Sequence, residues 1–418
     1  MILINILFIL LAIIGTPLFI IIAAFTLLSF YKTNIDFSAI MIEICRIAHT
    51  PLLIAIPLFT FAGAILAKSN APKRLVRFSK AAFGWCPGGL AIVVLFVCAF
   101  FTVLTGASGV TILALGNLLF PSLLKEGYSE RFSLGLITIS GSLGLLFPPS
   151  LPLIIYGVIA KVNIDQLFIA GILPGLFLIF LLSTFCIFKG FDLPKSNFSL
   201  NELLIAAKEG FWEIILPVIV MGGIYSGKFA LSEAAAVTAF YVLIVELFIK
   251  KDIRLKTLFS IIRQSMILVG SIIIILACAL AFTNYLIDAE IPMKILEIFK
   301  AHIKSKILFL IFLNIFLLIV GCMMDIFSAL LIVIPLIVPM ARAYGIDLIH
   351  LGIIFLTNLE IGYITPPVGI NLFISSLCFE RPILKLYLAS LPFLGILLFG
   401  LIVITYMPNL SLFLLRIL

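Results

Sequence analysis

Two prolines side by side inside an apolar stretch set backbone oxygens free, and free oxygens can hold an ion. The segment Glu360 to Phe373, EIGYITPPVGINLF, does this within an apolar run from about Asp347 to Phe379. Pro366 and Pro367 remove two amide donors and push the preceding residue out of the helical region. In hydrocarbon each freed polar group costs several kcal/mol unless a neighbour satisfies it. A second pair, Pro148 and Pro149, stands in GSLGLLFPPS. Two further interruptions carry polar side chains: Ser108 in LTGASG (Leu104 to Gly109) and Asp325 in GCMMD (Gly321 to Asp325). An ionisable group inside a membrane segment is expensive and points to function. Beside the carbonyls of Gly321, Thr365 and Pro366, Asp325 makes an all-oxygen site suited to Na⁺ or H⁺. Asp325 also reads as the N-cap of the helix that follows, and the two roles are compatible. Gly106, Ser108, Pro148 and Ser150 form the matching set in the first half of the chain.

No Arg or Lys falls at any of these breaks. An anionic group bound there would therefore rest on helix N-termini and on polar groups such as Ser108, Ser328 and Asn371. Asn358 is a further candidate; with Glu360 it faces either the centre or a neighbouring helix.

Other chemistry is poorly served. The histidines (His49, His302, His350) are scattered and the seven cysteines form no CxxC pair, which speaks against a zinc centre or a disulfide framework. GGIYSGKF (Gly222 to Phe229) fits the GxxxxGK pattern, but Phe229 replaces the magnesium-binding Ser or Thr and a membrane span precedes it. Nothing else resembles an ATP site, so any work the protein does would be ion-driven, and no cofactor is expected beyond an ion such as Na⁺ at the breaks. An intramembrane acid pair of Asp325 and Glu360 lacks any accompanying catalytic motif.

The elements that must position these residues are membrane helices. The chain is 64% hydrophobic and 11% charged, with a mean hydropathy of +1.35, the composition of an all-α polytopic membrane protein. The net charge of +8 comes from basic loops, Lys68 to Lys80 and Lys250 to Lys256, and reads as cytoplasmic topology signals rather than a nucleic-acid surface. Full spans are expected near 2–28, 52–67, 130–160, 165–188, 211–228, 230–249, 257–285, 347–379 and 386–412, the first of them uncleaved. The segments 88–124 and 307–340 are each broken at mid-length into arms of about 14 to 18 residues, short of the about 20 needed to cross, and are expected as re-entrant hairpins. The linker 192–209 is expected along the cytoplasmic interface.

A repeat is concealed at an offset of 218: Pro148 and Pro149 match Pro366 and Pro367, Pro121 matches Pro339, Gly127 matches Gly345 and Gly144 matches Gly362. Five spans lie between the two hairpins, and an odd number inverts the second copy, as in secondary transporters. The organisation expected is N-terminal scaffold spans in 1–87, a first transport repeat in 88–188 (hairpin 88–124, broken helix 130–160), a linker and scaffold spans in 189–285, and a second transport repeat with a C-terminal span in 286–418 (hairpin 307–340, broken helix 347–379).

Several motifs, in order, carry a family resemblance: IPLFTFAG (Ile56 to Gly63), LTGASG, LFPPSLPLIIYG (Leu146 to Gly157), AGILPG (Ala170 to Gly175), GGIYSG followed by SEAAA (Ser232 to Ala236), and NLEIGYITPPVGINLF (Asn358 to Phe373). Together they resemble the large membrane subunit of a tripartite ATP-independent periplasmic (TRAP) transporter over nearly the whole chain. The resemblance implies a sodium-coupled, elevator-type importer in a bacterial inner membrane. It also implies a periplasmic substrate-binding protein that delivers a small organic acid, and a separate four-helix membrane subunit. Its sodium positions would be Gly106 to Gly109, Pro148 to Ser150, Gly321 to Asp325 and Thr365 to Val368. Lys228, Ala230 and Leu231 depart from the Thr/Pro-rich turn usual in that family. The alternative is a self-sufficient sodium/dicarboxylate symporter of similar architecture; a passive channel fits offset broken helices less well.

Overall fold

The computed structural model describes residues 18–33, 51–191, 198–290 and 305–417, with a few single positions between them. The start of the expected first span and most of the loop before residue 305 lie outside the described residues. Among those described, seven helices are long and apolar enough to cross a membrane, or eight if the bent pair 130–146 and 151–160 counts as one span. The chain is a helical, multi-pass membrane protein.

Helices α1 (Leu18–Thr33) and α2 (Ala55–Lys68) are followed by the amphipathic α3 (Ala71–Phe83). Next come α4 (Gly89–Thr105) and α5 (Ser108–Lys125), parted at Gly106 and Ala107. Gly106 takes φ 67°, a left-handed conformation that ends α4 without a Cβ penalty. The two arms fold back on each other. Thr102 Oγ1 and Thr111 Oγ1 lie 2.7 Å apart although nine residues separate them, where a straight helix would hold them about 13 Å apart along its axis.

The first broken helix is α6 (Glu130–Ser140), a 3₁₀ turn (Leu143–Leu146) and α7 (Leu151–Ala160), bent by 44°. Then follow α8 (Ile164–Lys189), the short α9 (Leu200–Glu209), α10 (Phe211–Tyr225), α11 (Leu231–Ile244) with a π turn to Ile249, and α12 (Leu255–Asp288). The second hairpin is α13 (Lys306–Met323) with α14 (Ile326–Ala343). Its ends meet: Lys306 Nζ donates to the Gly345 carbonyl at 3.0 Å, and the Phe309 ring stacks on Tyr344 at 4.4 Å. The second broken helix is α15 (Leu348–Gly362) with α16 (Ile370–Phe379). The segment expected as one span, 386–412, instead divides into α17 (Ile383–Tyr406) and α18 (Pro408–Ile417), because Pro408 has no amide to extend α17 but suits a new helix start.

The two broken helices run antiparallel. At one end Arg381, just past α16, contacts Glu130 at the start of α6 (Nε–Oε1 2.5 Å). At the other, Tyr156 of α7 donates to the Leu348 carbonyl at the start of α15 at 2.6 Å. The matched glycines explain how each broken helix seats on its own hairpin. A Cβ on Gly144 would meet the backbone of Ala99 and Val103 in α4, and one on Gly362 would lie 2.5 Å from the Gly321 carbonyl carbon in α13. Val103 and Gly321 are themselves 218 residues apart, so the repeat governs packing as well as proline placement.

One end of the molecule is held by ions. Arg74 of α3, expected as a topology signal, is bound by Glu213 of α10 (2.7 Å), Glu246 of the π turn (3.0 Å) and Asp252 (2.7 Å). Arg77 pairs with Glu202 at 2.8 Å and Glu209 at 2.5 Å in α9, placing α9, the described helical part of the linker, against α3. At Asp252, partial burial is outweighed by hydrogen bonds from Asn70 and Arg74, which hold its carboxyl below the usual range.

Gly362→Val should sharply lower the detergent melting temperature, since backbone rather than a flexible side chain stands in its way. Gly395→Ala, where nothing lies within 4 Å, should leave it unchanged or raise it slightly through better helix propensity. Equal melting curves for the two variants would contradict the close approach.

Candidate functional site

The site is built where each hairpin tip meets the gap in a broken helix. At the second tip, Asp325 is the N-cap of α14. Its Oδ2 accepts from the Ser328 amide at 2.9 Å, and its Oδ1 from the Ser328 hydroxyl. The capping role is thus present in full, and the carboxylate sits at the positive end of α14. Around it, the Ile326 amide donates to Tyr363 Oη at 2.6 Å, and the Gly369 amide donates to the Cys322 carbonyl at 3.0 Å. These two bonds stitch the tip to the gap between α15 and α16. The Asn371 amide closes that gap by donating to the Tyr363 carbonyl at 3.1 Å.

At the first tip, Ser108 opens α5 and donates to Asn371 Oδ1 at 2.8 Å. Ser108 and Asn371 therefore meet across the two repeats, a contact the sequence did not disclose. Thr102 Oγ1 donates to the Gly141 carbonyl at 2.8 Å, tying the hairpin to the end of α6. In the same region Thr138 Oγ1 donates to Ser375 Oγ at 2.9 Å. Ser150 is buried and spent on the Leu145 carbonyl at 2.5 Å, and Thr365 Oγ1 on Ile361 at 2.8 Å. What remains unspent is backbone. Among the described residues, the carbonyls of Gly106, Pro148, Thr365 and Pro366 accept no hydrogen bond. These are hard oxygen donors of the kind an alkali cation takes.

Asn358 is occupied elsewhere. It is fully buried, and its amide donates to Asn314 Oδ1 of α13 and to the Ile354 carbonyl, both at 2.8 Å. Asn314 continues to Thr405 at 3.1 Å, so of the two orientations open to it Asn358 takes the structural one, between helices. Glu360 is also fully buried, and neither carboxylate oxygen has a hydrogen-bond partner among the described residues. A buried carboxyl is tolerated only when neutral or beside a cation. No group of three or more His, Cys, Asp or Glu able to hold a metal occurs among the described residues.

Tyr363, Thr102, Thr111 and Asn314 were not singled out in the sequence. Tyr363 stands three residues before the proline pair, and that position was its one available signal.

Paired broken helices, each met by a hairpin tip and running in opposite directions, make up a helical membrane protein with two matched breaks. The fold agrees with that of the YdaH transporter of Alcanivorax borkumensis (TM-score 0.61, 13% identity, covering 88% of this chain and 87% of that one). The family model of the tripartite ATP-independent periplasmic transporter DctM component matches residues 4–410, and the chain belongs to that family. It is 37% identical over 392 residues to the C4-dicarboxylate TRAP transporter large permease protein of Pseudomonas aeruginosa, covering 93% of this chain and 91% of that one. It is also 31% identical over 367 residues to the ectoine TRAP transporter large permease of Halomonas elongata (87% and 86%). With the sialic acid TRAP permease of Haemophilus influenzae it shares 30% identity over 364 residues, covering 86% of this chain and 59% of that longer one.

Tyr363→Phe should lower the melting temperature by the equivalent of about 1–3 kcal/mol, because it strands the buried Ile326 amide. A melting temperature equal to wild type would show that the Oη contact does not close the tip.

Proposed function

We propose that the chain is the sodium-coupled subunit of an importer that carries a small carboxylate-bearing solute across the inner membrane. The observation that carries this reading is the set of unspent carbonyls at Gly106, Pro148, Thr365 and Pro366, beside Ser108 and Asp325. Hard oxygens at the hairpin tips and at the breaks of the helices suit Na⁺. The hairpins are taken as re-entrant, since each tip sits against the middle of a broken helix. An elevator movement of the hairpin-bearing unit would then expose the site to either side.

The solute's acid group would lie among Ser108, Ser328 and Asn371 and at the positive N-termini of α5, α14 and α16. The names of the relatives, which include C4-dicarboxylates and sialic acid, fit a carboxylate. In this reading a periplasmic binding protein delivers the solute, and a small four-helix membrane subunit completes the permease. The Haemophilus permease has length beyond this chain's span in which such a unit could be fused.

Uptake of succinate by proteoliposomes containing the permease pair and its binding protein should require an inward sodium gradient. Equal uptake with choline in place of sodium, at constant pH, would sink the coupling. The site assignment has a separate test. Asp325→Asn keeps an N-cap but removes the charge, so melting should change by less than about 1 kcal/mol equivalent while the sodium concentration for half-maximal uptake rises several-fold or more. Ser108→Ala should shift it in the same direction, by less. An Asp325→Asn permease with wild-type sodium dependence would leave Asp325 as a helix cap alone.

A further inference from the structure

A crevice of about 340 Å³ lies apart from the hairpin tips. Its floor is Phe147 and Pro148, at the back of the first break, and its walls include Phe100 of α4 and Pro217 of α10. Amphipathic α3 covers it through Leu75 and Phe78, and Leu176 of α8 stands at its edge, 46% exposed on the outward face. Ser79 contributes the one polar side chain among the lining residues. With no basic group among its lining residues and Ser79 their one polar side chain, the crevice interior suits hydrocarbon rather than a charged solute. Its volume is in the range of real ligand pockets.

We propose that this crevice binds one acyl chain of an anionic phospholipid from the leaflet on the α3 side. Chemistry and charge together point to that occupant. The interior is hydrocarbon-like, and it opens outward at Leu176, where acyl chains would be the solvent. The covering helix carries Lys73, Arg77 and Lys80 on the face opposite Leu75, Phe78 and Ser79, so its basic edge stands at headgroup level when its apolar face lies inward. Arg77 and Lys80 are paired with Glu202, Glu209 and Glu126. Lys73 is exposed, and no acidic partner is described for it, so it is available to a phosphate. The bound chain would touch the first break and hairpin arm α4 on one side and α10, ion-paired to α3 through Arg74 and Glu213, on the other. This goes beyond the transport reading and stands without it.

The test uses the full chain in phosphatidylcholine vesicles containing phosphatidylglycerol with a diazirine midway along one acyl chain. After illumination and digestion, adducts should concentrate in the segments bearing Phe100 and Leu176, above those on the outward face of α12. Leu176→Trp, at an exposed position where folding is not at risk, should cut that yield several-fold, as should Ala99→Phe, which fills the interior. Lys73→Gln should lower it too, and the same diazirine on phosphatidylcholine should label the crevice less. Adducts spread evenly over the outward-facing helices, or undiminished by both blocking variants, would overturn the site. Equal labelling by both lipids, unaffected by Lys73→Gln, would overturn the anionic headgroup.

Discussion

A polar backbone group inside a membrane must find a partner, and the two breaks in this chain are arranged around that requirement. Opening a helix at Pro366 and Pro367 strands groups on both sides of the gap. The tip of the second hairpin supplies one missing partner, the Cys322 carbonyl that takes the Gly369 amide, and the gap supplies one to the tip in turn, Tyr363 Oη taking the amide of Ile326. The first break is served by the same logic with a different residue, as Thr102 meets the carbonyl of Gly141. Break and tip are therefore a single unit, because neither could stand alone in hydrocarbon. Close approach is the condition for this pairing, and Gly144 and Gly362 provide it by presenting no Cβ to the neighbouring arm.

Much of this was legible in the sequence because it rests on punctuation. Proline and glycine act through their own backbones, so their positions survive as a pattern even when the packing around them is unknown. The offset of 218 placed Pro148 against Pro366 and Gly144 against Gly362, and the same offset relates the arms on which those glycines seat. Pairings between distant side chains carry no such pattern. Ser108 and Asn371 are 263 residues apart, and nothing local to either announces the other. Asn358 stood open between cavity and helix contact, and its partner Asn314 lies in a helix whose sequence beyond Lys306 is otherwise apolar. The division at Met407 went unread because a proline at a helix start costs little, so it leaves no interruption in hydropathy.

The charges at one end show the same contrast. Counted singly, Lys68 to Lys80 form a basic loop with a topological meaning. In the fold the segment is a helix whose guanidiniums are met by carboxylates from α9, α10, the π turn and Asp252. Burying Arg74 among Glu213, Glu246 and Asp252 is a poor source of net stability, since desolvation consumes most of the attraction. Its effect is geometric: it joins segments remote in sequence at one point. That point lies on α3, the helix that leads directly into the first hairpin and roofs the apolar crevice.

Asp325 shows why a cap and a ligand need not be rivals. A carboxylate offers about four lone-pair directions, and Ser328 occupies one on each oxygen. The capping bonds fix the group's position at the start of α14, which a cation site requires, because a ligand that must first be ordered binds more weakly. The remaining lone pairs are then directed without further entropic cost. The helix dipole that favours the carboxylate's charge works against a cation at the same place. A site there depends on the uncharged carbonyls of Thr365 and Pro366 adding their dipoles to the single negative charge. On the sodium-coupled reading proposed above, such a balance would let a cation be held and also released.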